Sequence, residues 1–327
     1  MNLKFLNTMN NTSWLGVFME ILHQKYPKKN QLTEALMDLL CLEREAVYRR
    51  LRQNASFHID EIMKIAKEWN ISLNDIIGVQ SSQILFKTHL WDYINPSDEE
   101  LNCMRFLVEE SEYTRNFPEV ECMEISNRLP RMLTSGFSYL NRFHLFNWMY
   151  QYTDEKNLPF SEVAFHEEVA RLSSEYYIVS KNLGNVSFIW DNNIFNYLIS
   201  NICYYRSIYL ITDEEKEFIK KDLHALLDYM LKVADKGCWL ETGNKVNLYI
   251  SNINIDTNYS YYYSNNIKFC CVHAFAKNEI HTTDPVMVET FRNWMQSKKR
   301  ACIQISEADE KSRTEFFMKQ RQLIDTL

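Results

Sequence analysis

Four arginines, Arg44, Arg49, Arg50 and Arg52, fall within nine residues of the chain. The planar guanidinium fork of arginine can hold guanine O6 and N7 through two hydrogen bonds, and it also pairs with phosphate. On a solvent-facing helix the same side chains could instead pair with neighbouring carboxylates, at Asp38, Glu43 and Glu45. The cluster therefore indicates either anion recognition or an ordinary charged surface.

Cysteine and histidine residues in the C-terminal third are of the types that bind Zn²⁺. They lie at Cys270, Cys271, His273 and His281, with Cys302 further along the chain. Neighbouring residues of a strand point to opposite faces, so adjacent cysteines cannot both reach one tetrahedral ion without a bulge, and the sequence lacks the C-x-x-C spacing of zinc knuckles. The pattern favours buried thiols, and we expect neither a metal site nor another cofactor.

His166 is followed by Glu167 and Glu168, residue types that could perform acid-base or metal chemistry. The second histidine of the zinc-protease pattern is missing, so this segment indicates a solvated helix face. The chain also contains no Walker loop, no dinucleotide-binding glycine motif and no G-x-S-x-G nucleophile motif. We therefore do not expect an enzyme.

Tyr259, Tyr261 and Tyr263 alternate along a stretch with the composition of a strand. Alternate residues of a strand share one face, so the three hydroxyl groups could line a ligand pocket. Tyrosines at this spacing more often pack against neighbouring elements. Both interpretations stay open from the sequence.

Two short helices must position the arginine cluster. Residues 32–40 carry apolar side chains at helical spacing, Cys41 and Leu42 form a turn, and a third helix follows over 43–53. Val47 and Leu51 are four residues apart and should both face the core. The outward face then carries Arg44, Glu45, Tyr48, Arg49 and Arg52.

Three further helices complete a domain over residues 13–80. The first begins at Ser13 and ends before Pro27, the fourth covers 59–69, and a short fifth begins at Ser72. This arrangement resembles the phage-repressor and Cro class of helix-turn-helix domains, which also have five short helices. The resemblance rests on AVYRRLRQ after LTEALMDLLCL and on the tail IDEIMKIAKEWNISLNDI, and it covers about a fifth of the chain.

The resemblance implies that the domain binds double-stranded DNA with its third helix in the major groove. We assign base-edge contacts to Arg44, Glu45, Tyr48 and Arg49, and phosphate contacts to Arg50, Arg52, Lys28 and Lys29. One such domain covers a half-site, so a homodimer is expected. With its large C-terminal part, the chain is similar overall to uncharacterised helix-turn-helix transcription regulators of Bacteroides-like bacteria.

The rest of the chain is predicted to be mainly α. Alternating residues after Gly237 indicate three antiparallel strands, whereas the stretch before it has the pattern of long helices with short connections. The expected parts are an N-terminal arm (1–12), the helix-turn-helix domain (13–80), a linker (81–96), a helical bundle (97–236) and a small α+β unit (237–327). Residues 97–327 could form one domain for dimerisation or for sensing an effector.

The net charge of −7 is distributed unevenly. Residues 13–80 carry nine basic and nine acidic side chains, whereas the chain from residue 81 onward has a net charge of −8. An acidic body is repelled by phosphate, so only a local patch on the first domain could meet DNA. The neutral balance of that domain leaves an alternative, a helical scaffold that binds a partner protein and no DNA.

The eight cysteines are scattered without paired spacing, which is typical of a reduced, cytoplasmic protein. The most apolar later stretch, 188–210, is interrupted by Asp191 and Arg206, so no membrane span is expected, and the N-terminus lacks the apolar run of a signal peptide. The sequence thus predicts a cytoplasmic, sequence-specific, DNA-binding transcription regulator that forms a homodimer. A small-molecule or protein effector is its expected signal.

Overall fold

The chain folds as two units, Met1–Ile84 and Leu85–Leu327. The computed structural model describes residues 14–52, 55–69, 71, 73, 84–89, 91–113, 120–154, 156–265, 267–274 and 278–327. The predicted arm at 1–12, and the predicted fifth helix from Ser72 apart from Leu73, lie outside the described residues.

Four helices are described in the first unit, and they are α1 (Trp14–Lys25), α2 (Lys29–Leu40), α3 (Arg44–Leu51) and α4 (Ile59–Glu68). Leu32 and Leu36, one turn apart on α2, are fully buried. Val47 of α3 is 1% exposed, and Leu51 packs at the edge of the same core. The inward face predicted for the third helix is therefore confirmed.

Eight helices and eight strands are described in the second unit. The helices are α5 (Asp98–Tyr113), α6 (Arg131–Thr134), α7 (Ser138–Tyr152), α8 (Glu167–Val179), α9 (Asn196–Ser207), α10 (Asp213–Lys236), α11 (Pro285–Lys299) and α12 (Glu310–Asp325), with 3₁₀ turns at Phe160–Glu162 and Ser180–Asn182. The strands are β1 (Lys87–His89), β2 (Glu121–Ser126), β3 (Asn185–Asp191), β4 (Lys245–Ser251), β5 (Asn258–Tyr263), β6 (Lys268–Ala274), β7 (Asn278–Thr282) and β8 (Ile303–Gln304).

All eight strands belong to one mixed sheet with the order β1-β7-β6-β5-β2-β3-β4-β8. The central strands β2, β3 and β4 run parallel, and every other neighbouring pair is antiparallel. The prediction of a mainly α chain with a small three-stranded antiparallel sheet is therefore wrong. β5 and β6 do pair antiparallel, but β2 and β3 lie between β5 and β4, and both come from the segment predicted to be a helical bundle.

Hydrophobic cores cover both faces of this sheet. On one face, Val186, Phe188 and Trp190 of β3 are fully buried in a large core shared with most of the helices. On the other face, Ile189 of β3 lies in a smaller core with Phe291 and Met295 of α11. Because β3 is buried on both faces, its sequence reads as a continuous apolar run without the alternation that marks a half-exposed strand.

Local capping signals fix the long helices. Glu100 accepts a hydrogen bond from the backbone N–H of Ser97 at 2.7 Å, and Glu215 accepts one from that of Thr212 at 2.8 Å, so a capping box begins each of α5 and α10. The long helix α10 ends at Gly237, whose φ of 67° lies in the left-handed region that favours glycine. Within the described part of the chain, none of the helices combines the length and the apolar character needed to cross a bilayer.

Candidate functional site

A three-residue turn joins α2 to α3. α2 ends at Cys41, which adopts the left-handed conformation with φ 52° and ψ 45° and donates its backbone N–H to the Met37 carbonyl. Leu42 packs against the core of the unit, and Glu43 is extended and precedes the first residue of α3. A residue in the left-handed conformation, directly after the first of two packed helices, is a usual way to reverse the chain, and Cys41 does so between α2 and α3.

The outward face of α3 is exposed and basic. Arg44, Glu45, Arg49 and Arg52 are exposed, and Tyr48 is partly buried. Arg44 lies 3.7 Å from the Glu34 carboxylate, and both of these side chains are more than half exposed. The Arg52 guanidinium stands 5.5 Å from the centre of the Tyr48 ring. Weak surface contacts of this kind leave the arginines available to a large anionic partner.

Arg50 has a different environment from the other three arginines. Its Nε and Nη2 atoms donate to the two oxygens of Glu61, at 2.9 and 2.7 Å, and only 12% of its side chain is exposed. Burial acts to raise the pKa of Glu61, but the hydrogen bonds from Arg50 and from the His58 backbone outweigh it and lower the pKa. The predicted phosphate contact of Arg50 is therefore replaced by an ion pair that fixes α3 against the start of α4.

Lys28 and Lys29 lie at the N-terminus of α2 and are exposed, as a phosphate contact requires. Lys28 is the N-cap residue, and its side chain caps no backbone N–H. The first-turn N–H groups of α2 are therefore free of a side-chain cap, and the partial positive charge of a helix N-terminus adds to that of the two lysines.

A cavity of about 500 Å³ lies in the second unit, between the sheet and the helices α5, α7 and α8. Its wall on the sheet side includes Cys122, Glu124, Ser260, Tyr262, His273 and Glu279. Helix α7, which contributes His144, Asn147 and Gln151, is fixed at its N-terminus because the Asp222 carboxylate accepts the backbone N–H groups of Tyr139 and Leu140. The volume is in the range of pockets that enclose a small molecule.

Polar and charged groups line much of this cavity. Burial raises the pKa of the Glu124 carboxyl, and the nearby His273 partly opposes this. Across the cavity, Arg131 donates to the Tyr93 hydroxyl at 2.9 Å. Ser135 Oγ and Asn127 Oδ1 are buried atoms of the cavity wall that have no hydrogen-bond partner among the described residues. A concave space of this volume with acidic, basic and unsatisfied polar groups is suited to a small polar ligand.

Three side chains of the sheet bring metal-binding atoms together beside the cavity. One ligand atom from each of Cys271, His273 and Glu279 lies within 4.8 Å of the others. Cys271 Sγ donates to Glu279 Oε2 at 3.4 Å, and His273 Nδ1 lies 3.9 Å from the same oxygen. The other ring nitrogen, His273 Nε2, is 3.2 Å from Ser260 Oγ. Burial and the neighbouring Glu279 carboxylate both raise the pKa of the Cys271 thiol.

No family model, curated protein or solved structure matches this chain. The geometry of the two units therefore has to support any functional assignment by itself. A likeness to helix-turn-helix regulators stays an expectation from the residues of the first unit.

The tyrosines expected to line a pocket lie mainly on the other face of the sheet. Tyr259, Tyr261 and Tyr263 belong to the smaller core under α11. Tyr261 also borders the cavity, but its hydroxyl donates to Glu121 at 2.5 Å and accepts from Gln296 at 2.8 Å. The alternate set of β5, at 258, 260 and 262, lines the cavity instead. The predicted strand is present, and of the two interpretations left open, the position of these tyrosines favours packing.

The remaining candidates do not join the cluster. Cys270 and Cys302 belong to the core on the opposite face, and His281 stands opposite Cys271 in the β6–β7 register but is not one of the three clustered ligands. Glu168 pairs with Arg171 and Arg105, which lower its pKa to about 2, as expected for a charged helix surface.

Two acidic residues of this region, Glu279 and Glu124, were not predicted from the sequence as candidate site residues. Glu279 belongs to NEIHT, a short alternating stretch just after β6, so the alternation of Glu279 and His281 was a usable signal for β7. Glu124 belongs to β2, which reaches β5 only through pairing between segments far apart in the chain. No pattern in the sequence around Glu124 predicts that it lies near His273.

Proposed function

We propose that this protein is a cytoplasmic, sequence-specific DNA-binding transcription regulator of the helix-turn-helix type. The observation that carries the proposal is the outward face of α3, with Arg44, Arg49 and Arg52 exposed beside a tight turn from α2. A short helix held by one buried face, with guanidinium groups on the other, has the shape and the donors needed to enter a major groove.

The contacts divide by the position of each side chain. Arg44, Glu45, Tyr48 and Arg49 are proposed to face base edges, while Arg52 and the two lysines at the start of α2 face phosphates. Arg50 is proposed as a positioning residue, because its guanidinium is held by Glu61 and cannot reach DNA without breaking that pair.

The second unit is proposed to control DNA binding, either as the homodimer interface or as a sensor. The cavity supports the sensor role, since it is about 500 Å³ in volume and its wall carries polar groups that a ligand could satisfy. A pair of reading helices gains affinity when both engage one DNA molecule, so we expect a dimer when the protein binds DNA.

DNA binding by the intact protein tests the proposal. Binding to random duplex DNA, followed by fluorescence anisotropy, should weaken steeply as the salt concentration rises, because bound phosphates release counterions. The double variant Arg44→Ala with Arg49→Ala should lose about 2 to 6 kcal/mol of binding free energy for a selected site. Its thermal stability should be unchanged, since both side chains are exposed.

The matched control is Lys64→Ala with Lys67→Ala, which removes the same charge from exposed positions of α4. It should bind the selected site nearly as well as the unmodified protein. Equal loss in both double variants, or no DNA binding at any salt concentration, would overturn the proposal and favour a scaffold that binds protein partners. A monomer at micromolar concentration in light scattering, both free and with DNA, would remove the dimer from the proposal.

A further inference from the structure

We propose that Cys271, His273 and Glu279 form a binding site for a divalent transition-metal ion of the Zn²⁺ type. Among the described residues, these form a group of three metal-binding side chains whose ligand atoms lie within 4.8 Å of one another. The thiolate, imidazole and carboxylate set is one that Zn²⁺ accepts, whereas Mg²⁺ and Ca²⁺ prefer oxygen ligands alone. The proposal concerns the second unit and does not depend on DNA binding.

The strand register explains how the three residues meet. Cys271 and His273 are two residues apart on β6, so they project from the same face of the sheet. Glu279 of β7 stands directly opposite His273 in the antiparallel pair. The adjacent Cys270 projects to the other face, where it is fully buried in the core under α11. The site therefore uses one of the two neighbouring cysteines and needs no bulge.

Two of the three distances between ligand atoms are close to those of tetrahedral coordination. Zn–S bonds of about 2.3 Å and Zn–O bonds of about 2.1 Å at a tetrahedral angle place sulfur and oxygen about 3.6 Å apart. Cys271 Sγ and Glu279 Oε2 are 3.4 Å apart. Nitrogen and oxygen ligands should be about 3.4 Å apart, and His273 Nδ1 lies 3.9 Å from the same carboxylate oxygen. The third pair, Cys271 Sγ with a ring nitrogen of His273, lies within 4.8 Å, and the imidazole would have to move toward the ion on binding.

Ser260 holds the imidazole in the orientation that the site requires. Its Oγ lies 3.2 Å from His273 Nε2, so a proton on Nε2 can be donated to the hydroxyl while Nδ1 keeps its lone pair toward Glu279. Outer hydrogen bonds of this kind fix the tautomer and the ring orientation of metal-binding histidines. On binding, the ion replaces the proton that Cys271 shares with Glu279, and that proton leaves to the buffer.

The fourth coordination position should face the cavity. His273 and Glu279 both line the cavity, and the Glu124 carboxyl lies on the same wall. Three protein ligands leave one position of a tetrahedral ion for water or for a donor atom of a small molecule. The ion would thereby give the cavity an anchor for ligands that carry an oxygen, nitrogen or sulfur donor.

Cobalt spectroscopy of the full-length protein tests the site. After dialysis against a chelator, titration with Co²⁺ should reach one ion per chain, with a thiolate charge-transfer band and the strong visible bands of four-coordinate cobalt. Zn²⁺ should remove both. Cys271→Ser should abolish the charge-transfer band, and His273→Gln should weaken binding by more than the roughly 10- to 100-fold expected for an outer residue such as Ser260 in Ser260→Ala.

The neighbouring cysteine provides the matched control. Cys270→Ser should keep the full cobalt spectrum, because its side chain lies on the other face of β6. Since Cys270 is buried, the exposed Cys203 of α9 serves as a second control through Cys203→Ser, with circular dichroism to show that each variant is folded. A charge-transfer band that survives in Cys271→Ser, or the failure of the intact protein to bind Co²⁺ and Zn²⁺ at micromolar concentration, would overturn the proposal.

Discussion

The two units use charged side chains in opposite ways. On α3 of the first unit, Arg44 and Arg49 are exposed, and the partly buried pair of Arg50 with Glu61 helps the buried Val47 to fix the helix. In the second unit the titratable groups Glu124, His273 and Glu279 border a cavity. An exposed charge can meet a surface as large as a DNA duplex, whereas a group in a cavity of this size can meet only an ion or a small molecule. The difference is the one that the proposed function requires of a DNA-binding unit and a ligand-binding unit.

Breaking the partly buried ion pair between Arg50 and Glu61 should have the largest effect on stability. Glu61→Gln leaves the Arg50 guanidinium without its charge partner, which should cost about 1.5 to 3 kcal/mol. The free energy of unfolding, from urea titration monitored by hydrogen exchange in the first unit, measures this cost. The control Glu34→Gln, at the exposed pair with Arg44, should cost about 0 to 1 kcal/mol.

The same pair sets a pH dependence. The pKa of Glu61 is lower in the folded chain than in the unfolded one. Its ionised carboxylate therefore contributes fully to the free energy of unfolding at pH values above its unfolded-state pKa. That contribution should disappear as the pH falls through the folded pKa. A difference in stability between Glu61→Gln and the unmodified protein that persisted at pH 2 would show that the pair is not its source.

In the second unit, the buried hydroxyl of Tyr261 has a role comparable to that of the Arg50–Glu61 pair, because it also bonds a carboxylate. Tyr261→Phe removes the hydrogen bond to Glu121 and leaves that carboxylate and Gln296 with one partner fewer, at an expected cost of about 1 to 3 kcal/mol. Tyr263→Phe removes only an exposed contact with Lys268 and should be nearly neutral. Thermal unfolding of the two variants side by side measures the difference, and equal melting temperatures would contradict the assignment of Tyr261 to the core.

The turn between α2 and α3 should gain stability from glycine. Cys41 has a φ of 52°, a conformation that costs an L-residue about 1 to 2 kcal/mol, and glycine recovers part of this after its own entropic cost. Cys41→Gly is expected to stabilise the first unit by about 0.5 to 1 kcal/mol. The control Cys203→Gly places glycine in the middle of α9, where it should destabilise the protein. Urea unfolding midpoints that move in the same direction in both variants would contradict the expected relief of strain at Cys41.

The smallest effect is expected at the cavity wall. Burial raises the pKa of Glu124 above its unfolded value, so its ionised form destabilises the fold at pH values above the folded pKa and has no such effect below the unfolded one. Glu124→Gln should therefore raise the melting temperature slightly at neutral pH and leave it unchanged at pH 3. A lower melting temperature at neutral pH would mean that the ionised carboxylate is satisfied inside the cavity.

Local signals in the sequence predicted the first unit well and the sheet only in part. The turn at Cys41, the inward Val47 and the strand containing Tyr261 depend on spacing within a few residues, which the sequence displays directly. β3 gave no such signal because both of its faces are buried, and an apolar run of that length between helices fits a buried helix equally well.

The candidate sites show the same limit. The arginine face of α3 could be predicted because one short helix carries it. Arg50 looked like the other arginines, since its partner Glu61 is eleven residues away on another helix. The group of Cys271, His273 and Glu279 could not be predicted without the register of β6 against β7, which places Glu279 opposite His273 on the face that Cys271 shares.

The pairing of β2 with β5 also bears on the order in which the chain acquires structure. In this pair Glu121 stands opposite Tyr263 and accepts a side-chain hydrogen bond from Tyr261, 140 positions away, and closing so long a loop is slow and entropically costly. During synthesis the first unit leaves the ribosome long before β5 does, so we expect a stalled chain of about 200 residues, with β2 outside the exit tunnel and β5 not yet made, to protect α1 to α4 from protease and to leave β2 cleavable. Under the proposed function, such nascent chains would contact DNA before they could respond to a ligand.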